Sequence, residues 1–356
     1  MKKHLDQGIS RRTLLQGGAA STIILAAPTI ITRPAKAADV LYVNTWGGVF
    51  TEAEQVSLFT PFTKATGIEV RPVAPVSMAK LKAQVQSNTY DWDVTEISMG
   101  EARQMIEENL LEKVDYTVLD KNKITPGTIY KDYSVASTSI GSGLVYRKDK
   151  FPNGGPQNWA DFWDVKKFPG DRALIDQAYT IIAFALLADG VPRDKLYPFD
   201  LDRAFKKLNE IKPHIKVWWK QGAQSEELIR SGEVVMMSMW NGRAQGLIDK
   251  GVPLQIVWNG TQVTYSQRFV PKGTPRAKLA WKYIEFASQA QPMAEFAKRM
   301  YYGPSNPDSF KYMTAEETAK MPSAPENLKV TYTPNDDYLA PNLAKINERW
   351  AQWIAG

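Results

Sequence analysis

The chain has 356 residues, 44% of them hydrophobic and 23% charged. That mix belongs to a soluble globular protein, and the length suits two domains of about 150 residues each. It has no cysteine and two histidines, His4 and His214. This excludes disulfides, thiolate metal sites, cysteine nucleophiles and a histidine-rich metal centre.

Residues 1–37 read as a cleaved export signal. Lys2, Lys3, Arg11 and Arg12 precede a charge-free, mainly apolar stretch from Gln16 to Thr32, and Ala35-Lys36-Ala37 supplies a cleavage site after Ala37. Ser10-Arg11-Arg12-Thr13-Leu14-Leu15 has the form of a twin-arginine signal, so export of a folded protein to the periplasm is expected. Pro28 and the shortness of the stretch argue against a membrane span, which needs roughly 20 apolar residues. The segment holds six Lys/Arg and one Asp of the chain's 44 and 38, which leaves 38 against 37, a net of +1 beyond it. No basic footprint for nucleic acid remains.

Beyond the signal, Val40–Val43 reads as a strand and Thr45-Trp46-Gly47-Gly48 as a turn that needs glycine. Thr51–Lys64 has helical spacing (Val56, Phe59, Phe62) with a kink expected at Pro61 and a stop at Gly67. Ile68–Val73 is the next strand, Met78, Leu81 and Val85 mark a helix, and Val94–Ile97 a third strand. This alternation predicts a parallel α/β layer. Further on, Arg172–Ile175 reads as a strand, Tyr179–Ala188 and Leu201–Ile211 as helices, and Val234–Trp240 as a strand covered on both faces. Thr264–Pro271 is extended and Pro275–Ala290 helical. The expected fold is two α/β lobes, with crossings near Ser137–Gly143 and Tyr265–Val270 and a small-residue hinge at the first.

Several chemistries find little support. His214 stands in a loop-like Lys212-Pro213-His214-Ile215 and reads as a surface residue. Gly141-Ser142-Gly143 lacks the third glycine of a dinucleotide fingerprint, and no phosphate-loop motif occurs. Asp91-Trp92-Asp93 places two acids on one side of a strand, a pattern open to hydrolytic acid–base work or to a plain structural turn. Tyr301-Tyr302 is open to ferric-ion ligation or to packing and ligand stacking. Neither an enzyme, a cofactor nor a metal is expected.

The motifs in order resemble the periplasmic solute-binding proteins of bacterial ABC importers, and most of all their polyamine (spermidine/putrescine) branch. The residues that carry it are Tyr42-Val43-Asn44-Thr45-Trp46-Gly47-Gly48, Phe62-Thr63-Lys64-Ala65-Thr66-Gly67-Ile68-Glu69-Val70, Tyr90-Asp91-Trp92-Asp93-Val94 and Asn158-Trp159-Ala160-Asp161-Phe162-Trp163-Asp164, then Gly232-Glu233-Val234-Val235-Met236 and Trp240-Asn241-Gly242. The resemblance implies a two-lobed binding-protein fold (type II) with lobes joined by hinge strands, a ligand cleft between them, and closure by hinge bending. With the crossings above, lobe 1 is placed at 38–140 plus 267–318 and lobe 2 at 141–266 plus 319–356. A membrane permease is the implied partner, and a monomer the implied state.

Polyamine binders box an alkyl chain with aromatics and meet its ammonium ends with acids. Trp46, Trp240 and Tyr302 match the aromatic half. The acidic half is missing: Arg243, Gly48 and Ser266 stand where the family pattern has acids, and Tyr179-Thr180 where it has Glu. Gly47, Ser98 and Asp176 complete the expected ligand-binding set. Arg243 is always protonated and offers a planar fork that matches a carboxylate. It follows Trp240 where a strand turns into a helix, and free N–H groups at a helix start favour an anion. The alternative for Arg243 is an outward-facing side chain paired with a surface acid. The expected ligand is an amine-bearing carboxylate such as 4-aminobutyrate or a related ω-amino or guanidino acid; a true polyamine is the alternative. Glu96, Glu101 and Asp176 are the candidates to receive the amine.

Overall fold

The computed structural model describes residues 39–356. The expected export signal and its cleavage site lie outside the described residues. No helix among the described residues is long and apolar enough to cross a membrane.

The chain opens with β1 (Val40–Asn44), then α1 (Gly48–Glu54), a π turn at Gln55–Phe59 and α2 (Thr60–Thr66). These run on as one helical stretch. Pro61 has no N–H to donate back along the helix, and the widened turn just before it absorbs that loss where a kink was expected. Gly67 closes α2 in the left-handed conformation (φ 76°), as its position in the sequence predicts. β2 (Glu69–Val73) pairs parallel with β1, and α3 (Met78–Ser87) follows.

β3 (Thr95–Ser98) corrects the parallel expectation. Val94 makes a parallel bridge to Val43, but β3 itself pairs antiparallel with the late strand β9. α4 (Met99–Glu107), the short β4 (Ile129–Tyr130) and the 14-residue β5 (Ser134–Arg147) complete this part. After α5 (Trp159–Trp163) come β6 (Arg172–Ile175), α6 (Ala178–Ala188), α7 (Leu201–Ile211), β7 (Ile215–Trp219), α8 (Gly222–Arg230), β8 (Met236–Trp240) and α9 (Asn241–Asp249). β9 (Leu254–Phe269) leads into α10 (Ala277–Ala287) and α11 (Ala290–Met300). The helix expected at 275–290 is α10; α11 is a further helix, separated from it at Ser288-Gln289. The chain ends through β10 (Gly303–Pro304), α12 (Ala315–Ala319), α13 (Pro325–Leu328) and the long α14 (Asp336–Ala355).

The main sheet has the order β3-β9-β5-β8-β6-β7, with β4 and β10 also on β5. β6, β7 and β8 are parallel, and β5 joins β8 and β9 antiparallel, so the sheet is mixed. One core gathers side chains from 144–257 and from α14; a separate core gathers residues 41–135 and 270–296. β5 and β9 pair along most of their length and pass from one to the other. The small residues of Ser137–Gly143 have a packing reason. The segment lies inside β5 and is almost wholly buried. A Cβ at Gly141 would meet the Trp258 ring at 3.1 Å, and one at Gly143 would overlap Thr261.

Candidate functional site

A cavity of about 2470 Å³ opens between strand ends and helix starts. Five of the segments that line it carry the expected site residues. The first is the β1–α1 turn, where Gly47 (φ 89°) and Gly48 (φ 55°) take up backbone that other residues avoid. The Gly47 N–H donates to Thr51 Oγ1 (3.1 Å), and Thr45 donates to the buried Glu54, which anchors the turn from below. Trp46 projects from it, 47% exposed, into the cavity.

Ser98 ends β3 and caps α4. Its hydroxyl donates to Glu101 Oε2 (2.7 Å), and both residues line the cavity. Ser266 of β9 is the cross-strand partner of Ser98 and lines it too. After β6, Gln177 and Tyr179 reach the wall, and Gln177 Nε2 donates to the Tyr179 hydroxyl (3.1 Å).

The fourth segment is the β8–α9 junction. Trp240 packs edge-on against Trp219, with ring centroids 5.3 Å apart, and lines the cavity. Arg243 lies one turn further, with Cζ 5.9 Å from the Trp240 centroid. Asn241 locks the junction: its side chain accepts from the Gly141 N–H (2.9 Å) and donates to the Tyr301 carbonyl (2.5 Å). Trp240 gives α9 no side-chain cap, so the first N–H groups of α9 are uncapped beside Arg243. Last comes the α11 end, where Tyr302 packs across Gly242; a Cβ there would stand 2.7 Å from the ring.

Of the residues expected in the site, Trp46, Gly47, Ser98, Tyr179, Trp240, Arg243, Ser266 and Tyr302 line this cavity. Gly48 shapes the turn without lining it. Asp176 lies elsewhere: it accepts from Trp350 Nε1 (2.7 Å) and pairs with Lys220 (3.2 Å). Glu96 is buried against Arg268 (3.3 Å), away from solvent, and burial pushes its carboxyl up. Burial, with the Glu96 charge beside it, pushes Glu54 up to about 8.

Asp93 is fully buried and structural. It accepts from the Tyr42 N–H (3.0 Å), Thr274 Oγ1 (2.5 Å) and Arg276 Nε (2.7 Å), while Asp91 is exposed. Asp93 has no exposed surface and neither acid lines the cavity, so the pair is not placed to serve one substrate as acid and base. Tyr301 takes left-handed backbone (φ 57°) and donates to Asp249; burial, then that contact, push its hydroxyl up to about 12. Among the described residues, no group of three His, Cys, Asp or Glu is placed to hold a metal ion. His214 is exposed.

One neighbour escaped the sequence reading. Glu226 of α8 lines the cavity and forms an ion pair with Arg243. Both readings of Arg243 meet here: it faces the cavity and it already has an acid. In the sequence, Ser225-Glu226-Glu227 looks like any solvated helix face. Glu227 does pair outward, with Arg230. Only the packing of α8 on α9 singles out its neighbour.

Residues 57–327 match the family of bacterial extracellular solute-binding proteins. The chain belongs to this family. It is 35% identical over 324 residues to the gamma-aminobutyric acid-binding protein of Pseudomonas aeruginosa, covering 88% of this chain and 91% of that one. It is 25% identical over 290 residues to the spermidine/putrescine-binding periplasmic protein of Salmonella typhimurium, covering 78% and 81%. In structure it is similar to an ABC transporter substrate-binding protein from Bradyrhizobium japonicum, with TM-score 0.84, 35% identity and coverage of 88% and 99%. The solute-binding fold is thus the two-domain α/β fold of such proteins. These solute-binding relatives are transport-associated proteins, not enzymes, and membership implies a periplasmic location.

Proposed function

We propose that this solute-binding protein captures a small amine-bearing carboxylate, 4-aminobutyrate or a related ω-amino or guanidino acid, and delivers it to an ABC permease. One observation carries the reading: Arg243 stands in the cavity wall beside Trp240, at the uncapped start of α9. A guanidinium there attracts a carboxylate and repels the ammonium of a polyamine. Its partner Glu226 brings the local net charge to zero, which suits a zwitterion better than a polycation. The relative named for gamma-aminobutyric acid supports the same choice.

Trp46, Trp240 and Tyr302 supply apolar walls for the methylene chain. Of the three acids considered for the amine, Glu96 and Asp176 are engaged elsewhere, and Glu101 remains. It lines the cavity and carries no ion pair among the described residues. Arg243 stands on α9, whose Ala244 and Leu247 pack in one core, and Glu101 on α4, whose Ala102 and Met105 pack in another, so a ligand that joins them draws the halves together. The volume, well above the roughly 300–1,000 Å³ of a formed small-molecule pocket, fits a cleft awaiting closure. We take the lobes as 38–140 plus 267–318 and 141–266 plus 319–356, with β5 and β9 as connections. Export through the twin-arginine route and action as a monomer complete the proposal.

Titration calorimetry of the mature protein tests it. 4-Aminobutyrate should bind at micromolar affinity or better, a total of about 8 kcal/mol, and putrescine far more weakly. Tight putrescine or spermidine binding with no heat from 4-aminobutyrate would reverse the assignment.

A further inference from the structure

We infer that Gly222 determines specificity: the space its side chain would fill is the seat of the Arg243 guanidinium. The inference rests on Arg243 as the carboxylate-binding group and adds what holds that group in place.

Gly222 is buried at the first position of α8, and its φ is outside the left-handed region. The backbone therefore has no need of glycine there, and alanine is the better helix former. What an added Cβ meets is Arg243. It would overlap Nε and Cζ and stand 2.8 Å from Nη2. The atoms struck are the movable end of a long side chain. A side chain at 222 is accommodated by swinging the guanidinium aside, with the helix left as it is. Gly242 differs: there a Cβ would stand 2.5 Å from the Met300 carbonyl oxygen, which is backbone and cannot give way so easily.

The guanidinium thus lies against the bare Gly222, is tied by Glu226 and stands near the Trp240 ring. The bare Gly222 and the Trp240 ring set where the guanidinium lies, while the half-exposed Glu226 pair is weak enough for a ligand carboxylate to replace it; a preset fork loses less entropy when a carboxylate docks. Glycine at 222 keeps the positive charge where it selects carboxylates.

The experiment compares wild type, Gly222→Ala, Arg243→Ala and the double variant by calorimetric titration with 4-aminobutyrate and by thermal unfolding. Gly222→Ala should bind roughly 10- to 100-fold more weakly with no fall in melting temperature. The double variant should bind no more weakly than Arg243→Ala alone, because both changes remove one contact. Wild-type affinity in Gly222→Ala, a further loss on top of Arg243→Ala, or a marked fall in melting temperature would each overturn the inference. If wild type itself gives no heat with 4-aminobutyrate, the functional reading fails, and a crystal structure of Gly222→Ala then decides the seat without any ligand. A guanidinium displaced from Glu226 supports it; one left in place refutes it.

Discussion

Arg243 and Glu226 form an ion pair on the cavity wall, with 39% and 32% of their side-chain surfaces exposed. A half-exposed pair of this kind contributes only about 0–1 kcal/mol, so a ligand carboxylate can compete for the same guanidinium. Under the proposed function, Glu226 is a stand-in anion that the ligand carboxylate displaces. Glu226→Gln should therefore strengthen 4-aminobutyrate binding by up to about fivefold, the equivalent of about 1 kcal/mol. Isothermal titration measures it. Weaker binding would instead make Glu226 a direct receiver of the ammonium.

Arg243→Ala acts in the opposite direction. It removes a charge-assisted contact and leaves the Glu226 carboxylate facing the incoming anion. The expected loss for a carboxylate ligand is roughly 2–3 kcal/mol. Putrescine, a dication, should gain or hold its affinity in the same variant. A competition assay with both ligands reads the two signs together.

Asp93 has a structural task, and its variant should show it. Three donors converge on a carboxylate with no exposed surface, one of them Arg276. Asp93→Ala orphans these donors and leaves the Arg276 charge unpaired, a loss of roughly 3 kcal/mol. Urea unfolding should show it, while ligand affinity at saturating stability stays within about twofold. Lost turnover of a glycoside or ester in Asp93→Asn, with an intact fold, would restore the hydrolase reading.

The sequence made the local parts of this site legible and left its pairings hidden. Strand ends and turn glycines are local, so Trp46-Gly47-Gly48 and Trp240-Asn241-Gly242 could be placed at once. Arg243 stood out because its sign is opposite to that of the family pattern. Glu226 did not, because a helix face with two adjacent acids carries no mark of which one turns inward. The direction of β3 was hidden for a related reason. Its partner β9 arrives more than 150 residues later, and no spacing near Thr95 reports that strand's polarity. Asp91-Trp92-Asp93 is the structural turn that the pattern allowed: the segment bends before β3 begins, so its acids do not share a strand face. The small residues of Ser137–Gly143 also answer a close approach between β5 and β9, which composition alone does not report.

Glu54 links the turn that carries Trp46 to a pH dependence of stability. Its carboxyl is buried beneath that turn, bonded to Thr45, and pushed up to about 8 by burial and by Glu96, against an ordinary value of 4.5. The folded protein therefore keeps a proton that the unfolded chain releases near pH 4.5. Below that pH the two states hold it alike, and the stabilisation is complete. Between about 4.5 and 8 the unfolded state binds fewer protons, so stability falls as pH rises. Glu54→Gln supplies a neutral side chain of the same shape that cannot ionise. Its melting temperature should match wild type near pH 4 and exceed it at pH 8, so the two curves separate as pH rises. Thermal unfolding monitored by circular dichroism between pH 4 and 9 measures that separation, and parallel curves would mean that Glu54 ionises in the folded protein as freely as in water.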